Sequence, residues 1–107
     1  MVKENLIKDD ELGIAIAGLG FGESVHLPAA NSTNSLKTIA LWHPRSDRLK
    51  QISDRHNIKG TEIWQDLLNE PSVKGIIVAT PPEPRFKLAY EALEAGKHLL
   101  LEKPVAL

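Results

Sequence analysis

The sequence predicts a doubly wound α/β fold, a parallel sheet in the strand order 3-2-1-4-5, and three observations predict it. Short apolar runs alternate with helical patterns along the chain. The links between them are short, and alternation of this kind implies parallel strands joined by right-handed crossovers, with helices on both faces. The first run, "LGIAIAG", ends in a glycine-rich turn that opens into a helix.

The elements follow in order. Residues 12–18 suit a buried strand, with two isoleucines and a closing glycine. "GLGFGE" is the turn, and "SVHLPAANS" a helix, provided that Pro28 lies near its first turn, where no backbone donor is needed. "LKTIALW" (36–42) is a second strand. A helix over 46–57 carries Leu49, Ile52 and His56 at i, i+3 and i+7, with Ser46 or Asp47 as N-cap and Asn57 as a left-handed stop. "TEIW" (61–64) reads as a brief strand, and "QDLLNE" as one or two helical turns stopped by Pro71. "GIIVAT" (75–80) is the clearest buried strand. The next helix opens at Pro82 or Pro84, carries a stripe of Phe86, Ala89, Tyr90 and Leu93, and closes at Gly96. "KHLLLE" (97–102) is the last strand, and Trp42 and Trp64 are expected to end strands and pack.

Composition narrows the function. The chain has 107 residues, 42% hydrophobic and 25% charged, with a net charge of -1. A nucleic-acid-binding module would carry a basic face, so nucleic acid is not an expected partner. With no cysteine there is no disulfide framework, thiolate metal site or cysteine nucleophile. No histidine–carboxylate spacing suggests a metal site either. No apolar stretch reaches the ~18–20 residues of a membrane span, so no membrane partner is expected. The N-terminus "MVKENLIKDDEL" lacks a signal-peptide pattern, and residues 1–10 read as a loose polar tail. These features suit a cytoplasmic protein.

In such a sheet, ligands bind outside the carboxyl ends of the strands, where strand order reverses. That point lies between the first and fourth strands. A dinucleotide turn needs one glycine for the bend, one where the backbone meets the pyrophosphate, and one for close helix–strand packing. Gly18 and Gly20 meet the first two needs. Phe21 lies in the same turn, and the third glycine comes one residue early, at Gly22. Glu23 stands where the strict motif has its last glycine, so a dinucleotide fits only if that carboxylate points away. The alternative is a glycine-rich turn that holds no ligand.

The end of the second strand bears on which dinucleotide. An acidic residue about 20 positions past the glycines holds the ribose hydroxyls of NAD. Here His43 occupies that place, 21 residues after Gly22, and Arg45 follows. An arginine there can fork onto a 2′-phosphate, with Ser46 as an added donor, which favours NADP over NAD. Alternatively, Arg45 and Arg48 are solvated charges that open a helix. Thr80 and Pro81 after the fourth strand, and Glu102 and Lys103 after the fifth, converge on the same crevice. Taken alone, Glu102 and Lys103 read equally well as an ordinary surface pair. His26 and His56 read as packing or capping residues.

The runs "IAIAGLGFGESVHLPA" and "VATPPEPRFKLAYEALEAGKHLLLEKP" resemble the N-terminal nucleotide-binding domain of the glucose–fructose oxidoreductase, inositol dehydrogenase and MocA group (Gfo/Idh/MocA). The likeness runs from about Gly13 to Pro104, and "A-G-K-H-x-L-x-E-K-P" joined to an upstream "A-T-P" is its most specific part. The resemblance implies an NAD(P)-binding Rossmann domain over 11–107 and hydride transfer between the cofactor and a sugar- or polyol-like alcohol or ketone. It implies that Lys103 lies beside the nicotinamide and the substrate and aids proton transfer. It places Glu102 at the nicotinamide-ribose end, and lines the same channel with Thr80 and Pro81. Two positions depart from the pattern: Pro82 where the family often has asparagine, and Arg85 where it often has histidine.

Family members continue with one more strand and a second α/β domain that completes the substrate pocket. The chain therefore reads as a truncated, incomplete oxidoreductase, inactive alone, that meets a small-molecule substrate only with the missing domain. Its open last strand would invite homo-oligomers. A non-catalytic dinucleotide-binding regulatory module and a ligand-free remnant are the alternatives.

Overall fold

The computed structural model describes residues 11–20 and 22–101. Phe21, Glu102, Lys103 and the N-terminal ten residues lie outside the described residues. Five parallel strands form one sheet in the order β3-β2-β1-β4-β5. They are β1 (Leu12–Ala17), β2 (Leu36–Trp42), β3 (Lys59–Thr61), β4 (Gly75–Val78) and β5 (His98–Leu101). Four α-helices connect them: α1 (Leu27–Asn31), α2 (Ser46–His56), α3 (Trp64–Leu68) and α4 (Pro82–Glu94). The expected strand order is the observed one.

The central strands are apolar on both faces because both are covered. Ala15 and Ala17 of β1 face α3 and α4, in a cluster with Trp42, Leu67, Leu68, Val73, Ile76, Val78, Leu88 and Ala92. Ile16 faces the other way and packs with Leu19, Leu27, Leu41, Leu49 and Ile52, under α1 and α2. A register shift between Ile14 and Ala15 leaves Ile39 without a partner on β1, which lets Ile39 and Ala40 join the same cluster.

The glycine turn enters α1 through a π-helical turn, Gly22–His26. Pro28 is then the second residue of α1, near its first turn as the sequence requires. Asn57 takes the left-handed conformation (φ 53°) at the end of α2, as the sequence predicts. The N-cap of α2 is Arg45, rather than Ser46 or Asp47, and no side chain caps it.

Two elements differ from their sequence-based expectation. β3 covers Lys59–Thr61, not 61–64. The chain leaves the Asn57 stop directly into the strand, and a Cβ on Gly60 would lie 3.0 Å from Leu49 Cγ, so β3 passes close beneath α2 at this glycine. Ile63 is exposed, and Trp64 opens α3 instead of ending a strand. Trp64 still packs edge-on against Trp42, with ring centroids 5.1 Å apart.

The second difference is the rotation of α4. Its buried face is Arg85, Leu88, Ala89 and Ala92, while Phe86, Tyr90 and Leu93 are 60%, 56% and 59% exposed. Both sets have i, i+3, i+4, i+7 spacing, one residue apart, so periodicity does not choose between them. The small Ala89 and Ala92 let the helix lie close on the sheet, and Arg85 must point inward to bond the chain before the helix. A Schellman closure ends α4: Gly96 (φ 79°) donates its N–H to the Leu93 carbonyl, and Lys97 to that of Ala92. The Lys97 ammonium donates to the carbonyls of Glu70 (2.9 Å) and Val73 (2.6 Å), which ties this corner to the loop before β4.

This rotation predicts opposite outcomes at neighbouring positions. Leu88→Ala costs about 2–4 kcal/mol of stability, and Phe86→Ala less than about 1 kcal/mol. Urea unfolding of the two variants checks it; a larger loss for Phe86→Ala than for Leu88→Ala would mean that α4 buries the other face.

Candidate functional site

The ends of β1, β2 and β4 open into one cleft of about 670 Å³. The glycine turn supplies Gly18, Leu19 and Gly20, the β2 end supplies Trp42, His43, Pro44 and Arg45, and the β4 end supplies Ala79, Thr80 and Pro81. Pro84 and Arg85 of α4 close it. Glu23, His26 and His56 are not among the lining residues.

The three glycines do different work. Gly18 has φ 94°, and a Cβ there would lie 2.6 Å from the Ala79 carbonyl carbon and 2.7 Å from the Thr80 nitrogen. Two stretches of main chain meet with no room for a side chain. The Gly18 N–H donates to the Trp42 carbonyl at 3.1 Å, so this one residue joins the ends of three strands. Gly22 allows a different contact, since a Cβ there would lie 2.9 Å from Ile16 Cγ2. It sets the π-helical turn against β1. Gly20 has nothing within 4 Å of its Cβ position and no positive φ. The fold does not require it, and it leaves main chain open on the cleft side.

The β4 turn carries an orphan group. Thr80 is 4% exposed, and its hydroxyl has no hydrogen-bond partner among the described residues. A buried hydroxyl left unpaired carries a desolvation cost that a ligand would relieve. Beside it, Arg85 is also 4% exposed, and its Nε donates to the Thr80 carbonyl at 3.0 Å. A second guanidinium nitrogen donates to the same oxygen. Arg85 therefore shapes the Thr80–Pro81 turn. Its sequence signal is a lone arginine at the head of the small-residue stripe, Leu88, Ala89 and Ala92.

At the β2 end, His43 Nδ1 accepts the Arg45 backbone N–H at 3.0 Å. That bond needs Nδ1 unprotonated, so the neutral ring offers Nε2–H as a donor. Burial and the Arg45 and Arg48 cations hold His43 below its ordinary pKa. The Arg45 guanidinium pairs with Asp47 at 3.0 Å, both side chains 69% exposed. Such an exposed pair contributes little, so Arg45 can change partners cheaply.

Glu23 points away from the cleft. Its Oε2 accepts from an Arg55 guanidinium nitrogen at 2.7 Å and lies 2.9 Å from His56 Nε2. Burial raises the pKa of its carboxyl, but the His56 hydrogen bond and the Arg55 charge together outweigh that and lower it. His56 thus has a structural role on the last turn of α2.

Groups that a dinucleotide needs are present: a bend that admits only glycine, an open stretch of main chain, an unpaired buried hydroxyl and a cation near the β2 end. Fold and cleft together define a Rossmann-type nucleotide-binding domain. The family model described as "Oxidoreductase family, NAD-binding Rossmann fold" matches residues 12–107, and the chain belongs to this Gfo/Idh/MocA family of oxidoreductases. It is 32% identical over 103 residues to an uncharacterised oxidoreductase of Synechocystis sp., covering 95% of this chain and 28% of that protein. To galactose 1-dehydrogenase of Pseudomonas fluorescens it is 32% identical over 94 residues, covering 85% of this chain and 29% of the relative. A 3-ketoreductase from Actinomadura kijaniata, solved with NADP and TDP-benzene, superposes with a TM-score of 0.83 at 27% identity, over 90% of this chain and 30% of the other. The chain thus spans under a third of the length of these relatives.

Two outcomes follow. Gly18→Ala should destabilise the fold by more than about 2 kcal/mol, because the clash is with main chain at positive φ. A chemical denaturation midpoint near that of the unsubstituted chain would contradict it. Glu23 titrates below its unfolded value, so its stabilisation is full above the ordinary carboxylate range and is lost as pH falls through the folded pKa. Glu23→Gln should cost about 1 kcal/mol at neutral pH and nothing in acid, read from urea unfolding across that range.

Proposed function

We propose that this chain is the cofactor-binding part of an oxidoreductase that takes NADP in preference to NAD and acts on a sugar- or polyol-like alcohol or ketone. The observation that carries the reading is the single cleft where the open main chain at Gly20, the His43–Arg45 end of β2 and the Thr80–Pro81 turn meet. The galactose dehydrogenase relative supports the substrate class, and the NADP complex of the ketoreductase supports the phosphate preference.

The roles divide along the cleft. Gly18 makes the bend and Gly20 opens its main chain to the pyrophosphate, with Phe21 and Gly22 in the same turn. Arg45 leaves Asp47 to fork onto a 2′-phosphate, and His43 Nε2–H donates to the neighbouring ribose. The Thr80 hydroxyl and Pro81 line the path toward the nicotinamide, and Glu102 meets the ribose at that end. The bound cofactor supplies hydride transfer. Lys103 holds the proton that the substrate oxygen gives or takes, and a dry crevice would lower its pKa toward the working range. Residues 11–107 act as one domain in this scheme, and the chain alone turns nothing over.

Titration calorimetry with NADPH and NADH separately is the test. NADPH should bind more tightly, and Arg45→Ala should weaken NADPH by about tenfold while leaving NADH unchanged, a difference of about 1.4 kcal/mol. Tighter NADH binding would remove the NADP preference and keep the family. Gly20→Ala should stay folded, within about 1 kcal/mol, and still lose at least about tenfold in affinity, because its Cβ would face the pyrophosphate. Undiminished binding by this variant would place the pyrophosphate elsewhere.

A further inference from the structure

We propose that Arg55 and His56 are positioning residues for cofactor binding. By holding the Glu23 carboxylate on the last turn of α2, they keep a negative charge away from the turn that receives the dinucleotide phosphates. The inference rests on the reading that the pyrophosphate sits at the Gly18–Gly20 turn.

Glu23 occupies the place where the strict phosphate-binding pattern has glycine, one residue after Gly22 and within the first turn of the helix that follows. The Ser24 N–H donates to the Gly20 carbonyl at 3.1 Å, so the backbone that bears Glu23 is tied to the residue fronting the cleft. A carboxylate swung toward the cleft from there would stand within a Debye length of the phosphates and oppose them. Instead it is turned to the far side, with 16% of the side chain exposed, and both its partners come from α2. Their distances, 2.7 Å to Arg55 and 2.9 Å to His56, are those of charge-assisted bonds. The two ends of α2 thus serve one site. Arg45 at its start presents a cation to the cleft, and Arg55 and His56 at its finish restrain an anion.

Removing the restraint should weaken binding, and removing the charge should restore it. NADPH affinity is measured by calorimetry for the unsubstituted chain, R55A, R55A/H56A, and each of these with E23Q. R55A should bind NADPH about threefold more weakly at low salt and R55A/H56A about tenfold, and both losses should shrink in roughly 0.5 M salt. Adding E23Q should return each to the affinity of the unsubstituted chain. A purely structural tether would not give that rescue, because E23Q breaks the same pairs. Arg55 is 57% exposed, so R55A keeps the test available if the double variant fails to fold. Unchanged affinity in R55A/H56A, or a loss that persists with E23Q, overturns the inference while leaving the cofactor site standing. If the unsubstituted chain binds neither NADPH nor NADH, the proposed site fails and takes this inference with it.

Discussion

Everything in the cleft depends on one contact between two stretches of main chain. Gly18 lies against the Ala79–Thr80 peptide so closely that no Cβ fits, and its N–H reaches the end of β2. This brings the ends of β1, β2 and β4 to a common point. Side chains could not set that distance, because any of them would hold the strands apart. The contact is therefore a steric constraint as much as an attraction, and it places the glycine turn, the His43–Arg45 segment and the Thr80–Pro81 turn around one space.

Other features keep that arrangement in place. Arg85 is buried on α4 and bonds the Thr80 carbonyl, so the helix and the β4 turn are set together. On the opposite layer, Glu23 joins the π-helical turn to α2. The two layers are fastened differently, one by a buried cation on a carbonyl and the other by an ion pair. The second weakens in acid, as Glu23 takes up a proton.

Much of this was legible in the sequence. Strand order followed from alternation and short links, and the bend at Gly18 and the close packing at Gly22, displaced by one residue, followed from spacing. The need for Glu23 to turn away was also readable, though the sequence did not name Arg55 and His56, some thirty positions on, as its partners. Local pattern failed where two answers have the same period. On α4, the aromatic stripe and the small-residue stripe are offset by one position, and the bond from Arg85 to Thr80 decides between them. It failed again at β3, where "IW" read as strand although a left-handed stop at Asn57 had already started the strand earlier. Pattern also could not show that Arg85 is a buried support.

The two tryptophans of the chain stand together beside the cleft. Trp42 lines the cleft, its indole N–H donates to the Glu62 carbonyl at 3.0 Å, and its ring meets Trp64 at 63°. Two indoles in contact, one at the wall of the cleft and one half-buried at the start of α3, give the protein a built-in optical probe. Their shared near-ultraviolet signal responds to core packing, and a reduced nicotinamide cofactor absorbs light where indoles emit. Quenching and energy transfer at Trp42 would report occupancy without any added label.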